Sequence, residues 1–122
     1  MADQRIKRML VVDDNGVNRK LAGSMLKKLG WQTEEADCGE AALRRLAVAD
    51  IDAVLLDISM PGISGEEVCR RLRTVEATRH LRIVAYTAHA MESEKSRIME
   101  SGFDAILIKP VSFEALREAF RD

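Results

Sequence analysis

Two cysteines and two histidines are the only thiol and imidazole ligands among these 122 residues, and their spacing fits no zinc site. Cys38 and Cys69 read as free thiols of a reducing compartment, where disulfides are rare. Net charge is equally scarce. The 19 Lys and Arg nearly balance the 20 Asp and Glu, leaving a formal charge of −1. That balance excludes an electrostatic case for direct nucleic-acid binding or for an anionic membrane. No apolar run approaches the roughly 20 residues that span a bilayer, so no membrane insertion is expected. Residues 1–8, MADQRIKR, are basic but lack the apolar segment of a secretory signal. There is no repeat, linker or low-complexity stretch. One cytoplasmic domain over residues 1–122 is the expectation.

What the chain does contain is an alternation of short apolar runs with helical patterns, five times over. The runs fall at 8–12, 31–36, 51–56, 81–86 and 105–108. Short runs bounded by turn residues read as strands covered on both faces. The first helix is expected from Gly16 to Leu29, with Val17, Leu21, Met25 and Leu29 four apart on its apolar face. Asp14 or Asn15 can cap it, and Gly30 ends it. A second helix starts at 37–40 and carries Ala41, Leu43 and Leu46. Ser64 and Glu67 have the form of a capping box for a third, which runs to Thr74. Met91 to Ser101 reads as a fourth, weakly apolar and charged, closed by Gly102. A fifth begins near Ser112 and points Phe113, Leu116 and Phe120 inward. Such an alternation specifies a parallel sheet, because each right-handed crossover returns the chain to the same edge. The predicted fold is α/β: a doubly wound, flavodoxin-like (βα)5 sheet of order 2-1-3-4-5.

In that order the polar residues at the strand ends meet at the carboxyl edge, where open α/β sheets bind ligands. They are Asp13, Asp14, Asp57, Thr87 and Lys109. Crowded carboxylates repel one another, so they hold a cation or share a proton. A magnesium-type ion takes one or two carboxylates and keeps several waters. It offsets the charge of an attacking carboxylate and of phosphoryl oxygens, while a hydroxyl and an ammonium bind the remaining oxygens. The set suits a phosphoryl group received on an Asp as an acyl phosphate. Taken singly, each residue has an ordinary reading: Asp14 as a helix cap, Thr87 as a turn residue, Lys109 as a solvated charge, Gly62 and Gly65 as turn and helix-start glycines. Their convergence on one rim decides against those readings as a set.

Val12-Asp13-Asp14-Asn15, Leu56-Asp57-Ile58-Ser59-Met60-Pro61-Gly62, Tyr86-Thr87-Ala88 and Lys109-Pro110 closely resemble the motifs of bacterial response-regulator receiver domains. They match in order and spacing over essentially the whole chain. The resemblance implies that Asp57 accepts a phosphoryl group from a phosphohistidine on a histidine kinase or histidine phosphotransfer protein. It implies that Asp14, Asp57 and the main-chain carbonyl of Ser59 ligate Mg2+, with Asp13 acting mainly through water, and that Thr87 and Lys109 sense the phosphoryl group. Only self-phosphorylation and autodephosphorylation chemistry is then expected, with output to a downstream protein target. The stretches 15–19 and 86–90 look more like receivers of hybrid histidine kinases and phosphorelays. Family resemblance and geometry together predict a cis Lys109–Pro110 bond, and the relay-type resemblance a docking surface on helix one, near Asn18 and Met25, with the loop after Lys109. One departure stands out. The family often has an aromatic switch residue where this chain has Ile106, and alternation turns Tyr86 away from Thr87.

Other functions fit less well. An aspartyl-nucleophile phosphatase or phosphomutase resembles a family with an Asp-x-Asp pair, but Asn15 and Ser59 occupy the second positions here. A flavin-binding domain needs a phosphate loop that the acidic 13–15 segment would repel. A receiver that signals without phosphate would not need all five site residues. His89, two residues past Thr87, is a candidate for dephosphorylation control, and His80 reads as a surface residue. With no effector motif after helix five, the chain is expected to be either a stand-alone regulator or a receiver cut from a hybrid kinase.

Overall fold

In a computed structural model of the protein, residues 7–48, 50–88 and 91–121 are described. The five apolar runs form one parallel sheet: β1 (Arg8–Val12), β2 (Gln32–Ala36), β3 (Ala53–Asp57), β4 (Arg82–Thr87) and β5 (Ala105–Ile108). Its order is β2-β1-β3-β4-β5, as expected. The helices are α1 (Gly16–Lys28), α2 (Gly39–Leu46), α3 (Gly65–Thr74), α4 (Glu92–Glu100) and α5 (Phe113–Ala119).

The period-2 alternation of the central strands divides the core into two layers. Leu10, Val12, Val54, Leu56, Ile83 and Ala85 face α2, α3 and α4, meeting Ala42, Leu46, Val68, Leu72 and Ile98. Met9, Val11, Leu55, Val84 and Tyr86 face α1 and α5, meeting Ala22, Leu26, Leu116 and Phe120. Each large apolar side chain fully buried here contributes about 1.5–3 kcal/mol.

Three expectations are corrected. The buried stripe of α1 is Ala22, Gly23 and Leu26, while Val17 and Leu21 stand 77% and 48% exposed. A strict four-residue spacing drifts by about 40° per step on a 3.6-residue helix, so the 17–29 series starts outside and meets the core only at the half-buried Met25 and Leu29. Phe113 is only partly covered, at 36% exposure, and Leu116, Ala119 and Phe120 are the residues buried against the sheet. The Ser64 hydroxyl caps α3 by accepting from the Glu67 N–H at 3.2 Å. The Glu67 carboxylate, however, accepts from Arg70 and Arg71 on the next turn.

Asn15 is the cap of α1, accepting from the Asn18 N–H, and Gly30 follows its end with φ of 100°. The Lys109–Pro110 bond is cis, as expected. Cys38 and Cys69 are free thiols. The Cys38 sulfur caps α2, and burial pushes the Cys69 thiol up to about 11. His80 is exposed, whereas His89 lies outside the described residues. No described helix is long and apolar enough to cross a membrane.

Candidate functional site

Every residue singled out at the strand ends sits at one rim of the sheet. Asp13 and Asp14 follow β1, Asp57 and Thr87 are the last residues of β3 and β4, and Lys109 follows β5. Asp57 and Thr87 thus lie inside the hydrogen-bonded ladder rather than just beyond it, with Asp57 opposite Tyr86 and Thr87 opposite Ile108. The ladder fixes their backbones, so their side chains leave the rim in set directions.

Burial differs sharply among the acids. Asp13 is 0% exposed and Asp57 only 3%, whereas Asp14 is exposed. One oxygen from each of the three can be chosen so that all lie within 4.8 Å of one another. The set is hard, anionic and oxygen-only. It fits a small divalent cation of the magnesium type. Ser59 is exposed on the same rim, and its N–H donates to Asp57 Oδ1 at 3.2 Å. Gly65 opens α3 against this loop: a Cβ there would fall 2.2 Å from the Asp57 carbonyl oxygen. Only glycine lets the start of α3 approach the acid so closely.

The Lys109 ammonium lies 3.0 Å from Asp13 Oδ2 and 3.3 Å from Asp57 Oδ1. The Thr87 carbonyl accepts from the Lys109 N–H at 2.8 Å, which couples the two strand ends directly. One ammonium serves two buried carboxylates, and the shortfall appears in their proton affinities. Burial, and after it the charge of Asp13, push Asp57 up to about 6 against the opposing pull of Lys109. Burial alone would raise Asp13 as well. Its hydrogen bonds from Tyr86, the Asn15 N–H and Lys109 outweigh burial and hold it below the usual carboxylate range. A proton entering the pair therefore goes to Asp57.

Tyr86 was missed at the sequence level. It does point to the opposite side of the sheet from Ile83 and Ala85, in the α1–α5 layer. Even so, its hydroxyl donates to Asp13 Oδ2 at 2.6 Å, and its ring lies 4.6 Å from the Lys109 ammonium. The signal was available in strand parity. Asp13 continues the series Met9, Val11, and Tyr86 continues Val84, so both belong to the same face, two strands apart. A tyrosine is long enough to bridge them. Ile106, in contrast, packs half-buried against the α2–α4 layer.

Residues 9–121 match the family model described as "Response regulator receiver domain". The sensor histidine kinase RcsC of Salmonella typhi is 42% identical over 110 residues, which are 90% of this chain and 11% of that protein. The sensor histidine kinase GacS of Pseudomonas protegens is 39% identical over 117 residues, 93% of this chain and 13% of that protein. The chain thus spans about a tenth of the length of these curated relatives. Among solved structures, the receiver domain of the sensor histidine kinase PA1611 from Pseudomonas aeruginosa superposes with a TM-score of 0.85 at 29% identity, covering 93% of each chain. That structure holds a magnesium ion coordinated in its active-site cleft.

Proposed function

The chain belongs to the response-regulator receiver family, and from that premise we propose that Asp57 is its phosphoacceptor. Receivers are the phosphoacceptors of two-component signalling, and this one resembles those of hybrid histidine kinases. The observation that supports Asp57 in particular is its near-complete burial at the end of β3, with the Lys109 ammonium at 3.3 Å and two further carboxylates beside it. At pH 7 a carboxyl pushed up to about 6 is still mostly ionised. It is then a more basic nucleophile than an ordinary aspartate.

In the proposed transfer, an Asp57 carboxylate oxygen forms a bond to phosphorus while the P–N bond of a partner phosphohistidine breaks. The imidazole leaves with the bond's electron pair and takes up a proton. Mg2+, when bound, would neutralise charge on the acceptor and on the phosphoryl oxygens. Asp14, Asp57 and the Ser59 carbonyl are the proposed ligands. Asp13 is assigned to act mainly through water, in keeping with the three donors already on its oxygens. Lys109 and the Thr87 hydroxyl are assigned to bind the transferred group. Their movement toward it would remodel the loop after Thr87 and α4, a helix whose buried contact is Ile98. With a ringless Ile106 half-buried in the same layer as α4, that change should depend little on ring rotation there.

The partners proposed are a histidine kinase or histidine phosphotransfer protein upstream and a protein target downstream. A small groove lined by Asn18, Leu21, Lys109, Pro110 and Val111 runs between α1 and the loop after β5. Leu21 is exposed there, as is Val17 one turn earlier on α1. It is the docking surface by which a phosphohistidine would approach Asp57.

Incubation with a small phosphodonor and Mg2+ should add one phosphoryl group by intact mass, and Asp57→Asn should take up none. Labelling of Asp57→Asn at the wild-type level would refute the assignment. Amide NMR titration with a phosphotransfer domain should shift α1 and residues 110–112. Shifts that spare α1 would remove the docking surface.

A further inference from the structure

We propose that Tyr86 is a positioning residue of the acceptor site, its hydroxyl orienting Asp13 and its ring seating Lys109. The proposal rests on the phosphoacceptor reading above. Three donors converge on the Asp13 carboxylate. The Asn15 N–H reaches Oδ1 at 2.9 Å, while the Tyr86 hydroxyl and the Lys109 ammonium reach Oδ2 at 2.6 and 3.0 Å. Asn15 is a backbone donor fixed by the start of α1. Lys109 is shared with Asp57 and is the cation assigned to follow the phosphoryl group. Once it turns away, Tyr86 is the side chain left to hold Oδ2 in place.

Filling the core does not require the hydroxyl. Tyr86 is 1% exposed among Val84, Val111, Leu116 and Ala22, a setting that a phenylalanine ring would fill as well. A buried tyrosine hydroxyl needs a partner, and here the partner is a buried carboxylate of the site. The same ring carries the ammonium 4.6 Å from its centroid, within the range of a cation–π contact. A single side chain therefore touches both the acid that should orient the cation and the base that should move on phosphorylation. Charge-assisted hydrogen bonds of this kind hold a carboxylate at a set angle, and a loosened carboxylate binds a cation less well.

Tyr86→Phe keeps the ring and removes the hydroxyl. It should still unfold cooperatively in urea, with a midpoint lowered by the loss of one charge-assisted bond to a buried carboxylate. Its dissociation constant for Mg2+, read from amide shifts of Asn15 and Ser59, should rise about fivefold to tenfold. Its labelling rate with a small phosphodonor should fall by a similar factor at sub-saturating Mg2+. Tyr86 is also the chain's single tyrosine, so its ring signals are unambiguous in the unsubstituted protein. Adding beryllofluoride with Mg2+ should shift them as Lys109 leaves the ring face. If Tyr86→Phe matches wild type within about twofold in Mg2+ affinity and labelling, the role is refuted. Unshifted Tyr86 ring signals on adding beryllofluoride refute it without any substitution. A wild-type protein that neither binds Mg2+ nor labels would instead strike the phosphoacceptor reading itself.

Discussion

Two clusters of charged side chains are built from nearly the same chemistry and come to opposite ends. One joins Arg8, Glu34, Arg45 and Asp50 across β1, β2, α2 and the loop before β3. Arg45 holds Glu34 through two bonds, at 2.6 and 2.8 Å, and Asp50 at 2.7 Å, while Arg8 reaches Asp50 at 2.9 Å. Two guanidinium groups meet two carboxylates, and all four side chains are 26–42% exposed. The other cluster joins Asp13, Asp14, Asp57 and Lys109 at the carboxyl rim. There, among the described residues, three carboxylates lie together and the one ammonium reaches the two that are buried. A matched cluster in partial contact with water fastens elements together and has nothing further to bind. A buried, unmatched one stays short of positive charge until a cation arrives.

Breaking the comparison most directly means removing its two pivotal cations in turn. Lys109→Met leaves Asp13 and Asp57 without their shared ammonium. It should destabilise the Mg2+-free protein by about 4 kcal/mol in urea unfolding, and Mg2+ should restore part of the loss. An equal stability with and without Lys109 would show that the rim is not short of positive charge.

The pH dependence of the two clusters should run in opposite directions. Asp57 keeps its proton to about 6 in the folded state, against 3.8 unfolded. Between those values the native state binds more protons, so its contribution to stability falls as pH rises through that window, by at most about 3 kcal/mol. Glu34 behaves in the opposite sense. Its hydrogen bonds from Arg45 hold it below the ordinary 4.5, so its contribution is present above that value and is lost as pH falls. Urea midpoints from pH 3.5 to 7, without Mg2+, should show both limbs. Asp57→Asn should abolish the falling limb alone.

The smallest effect belongs to Arg45→Met. Its partners are half in water, so the loss should be about 1 kcal/mol and should shrink in 0.5 M salt. A loss as large as that of Lys109→Met would mean that exposure does not separate the two clusters.

Much of this was legible from residue order. Asp13 and Asp57 stand at the ends of apolar runs too short for helices, and the doubly wound order that five such units fit brings those runs side by side. The cap at Asp14 or Asn15, the turn at Gly30 and the start of α2 within 37–40 are local, and local chemistry is what a sequence displays. The stripe of α1 was misjudged at Val17 and Leu21, because a four-residue spacing marks a face only until its drift carries it around the helix. The Glu67 carboxylate was misassigned, because two arginines one turn ahead compete for it with the helix start.

The sequence by itself determined the strand–helix alternation, the parallel sheet and the placement of five polar residues at its strand ends. These follow from periodicity and chain connectivity, which act between neighbours. Only the tertiary structure decided how those groups share charge: that Lys109 divides between Asp13 and Asp57, and that Tyr86, 73 residues from Asp13, closes a hydrogen bond to it across the sheet. Those contacts depend on distances of 2.6–3.3 Å between residues far apart in the chain. No periodicity encodes such distances, and in a buried site they settle which carboxylate keeps its proton.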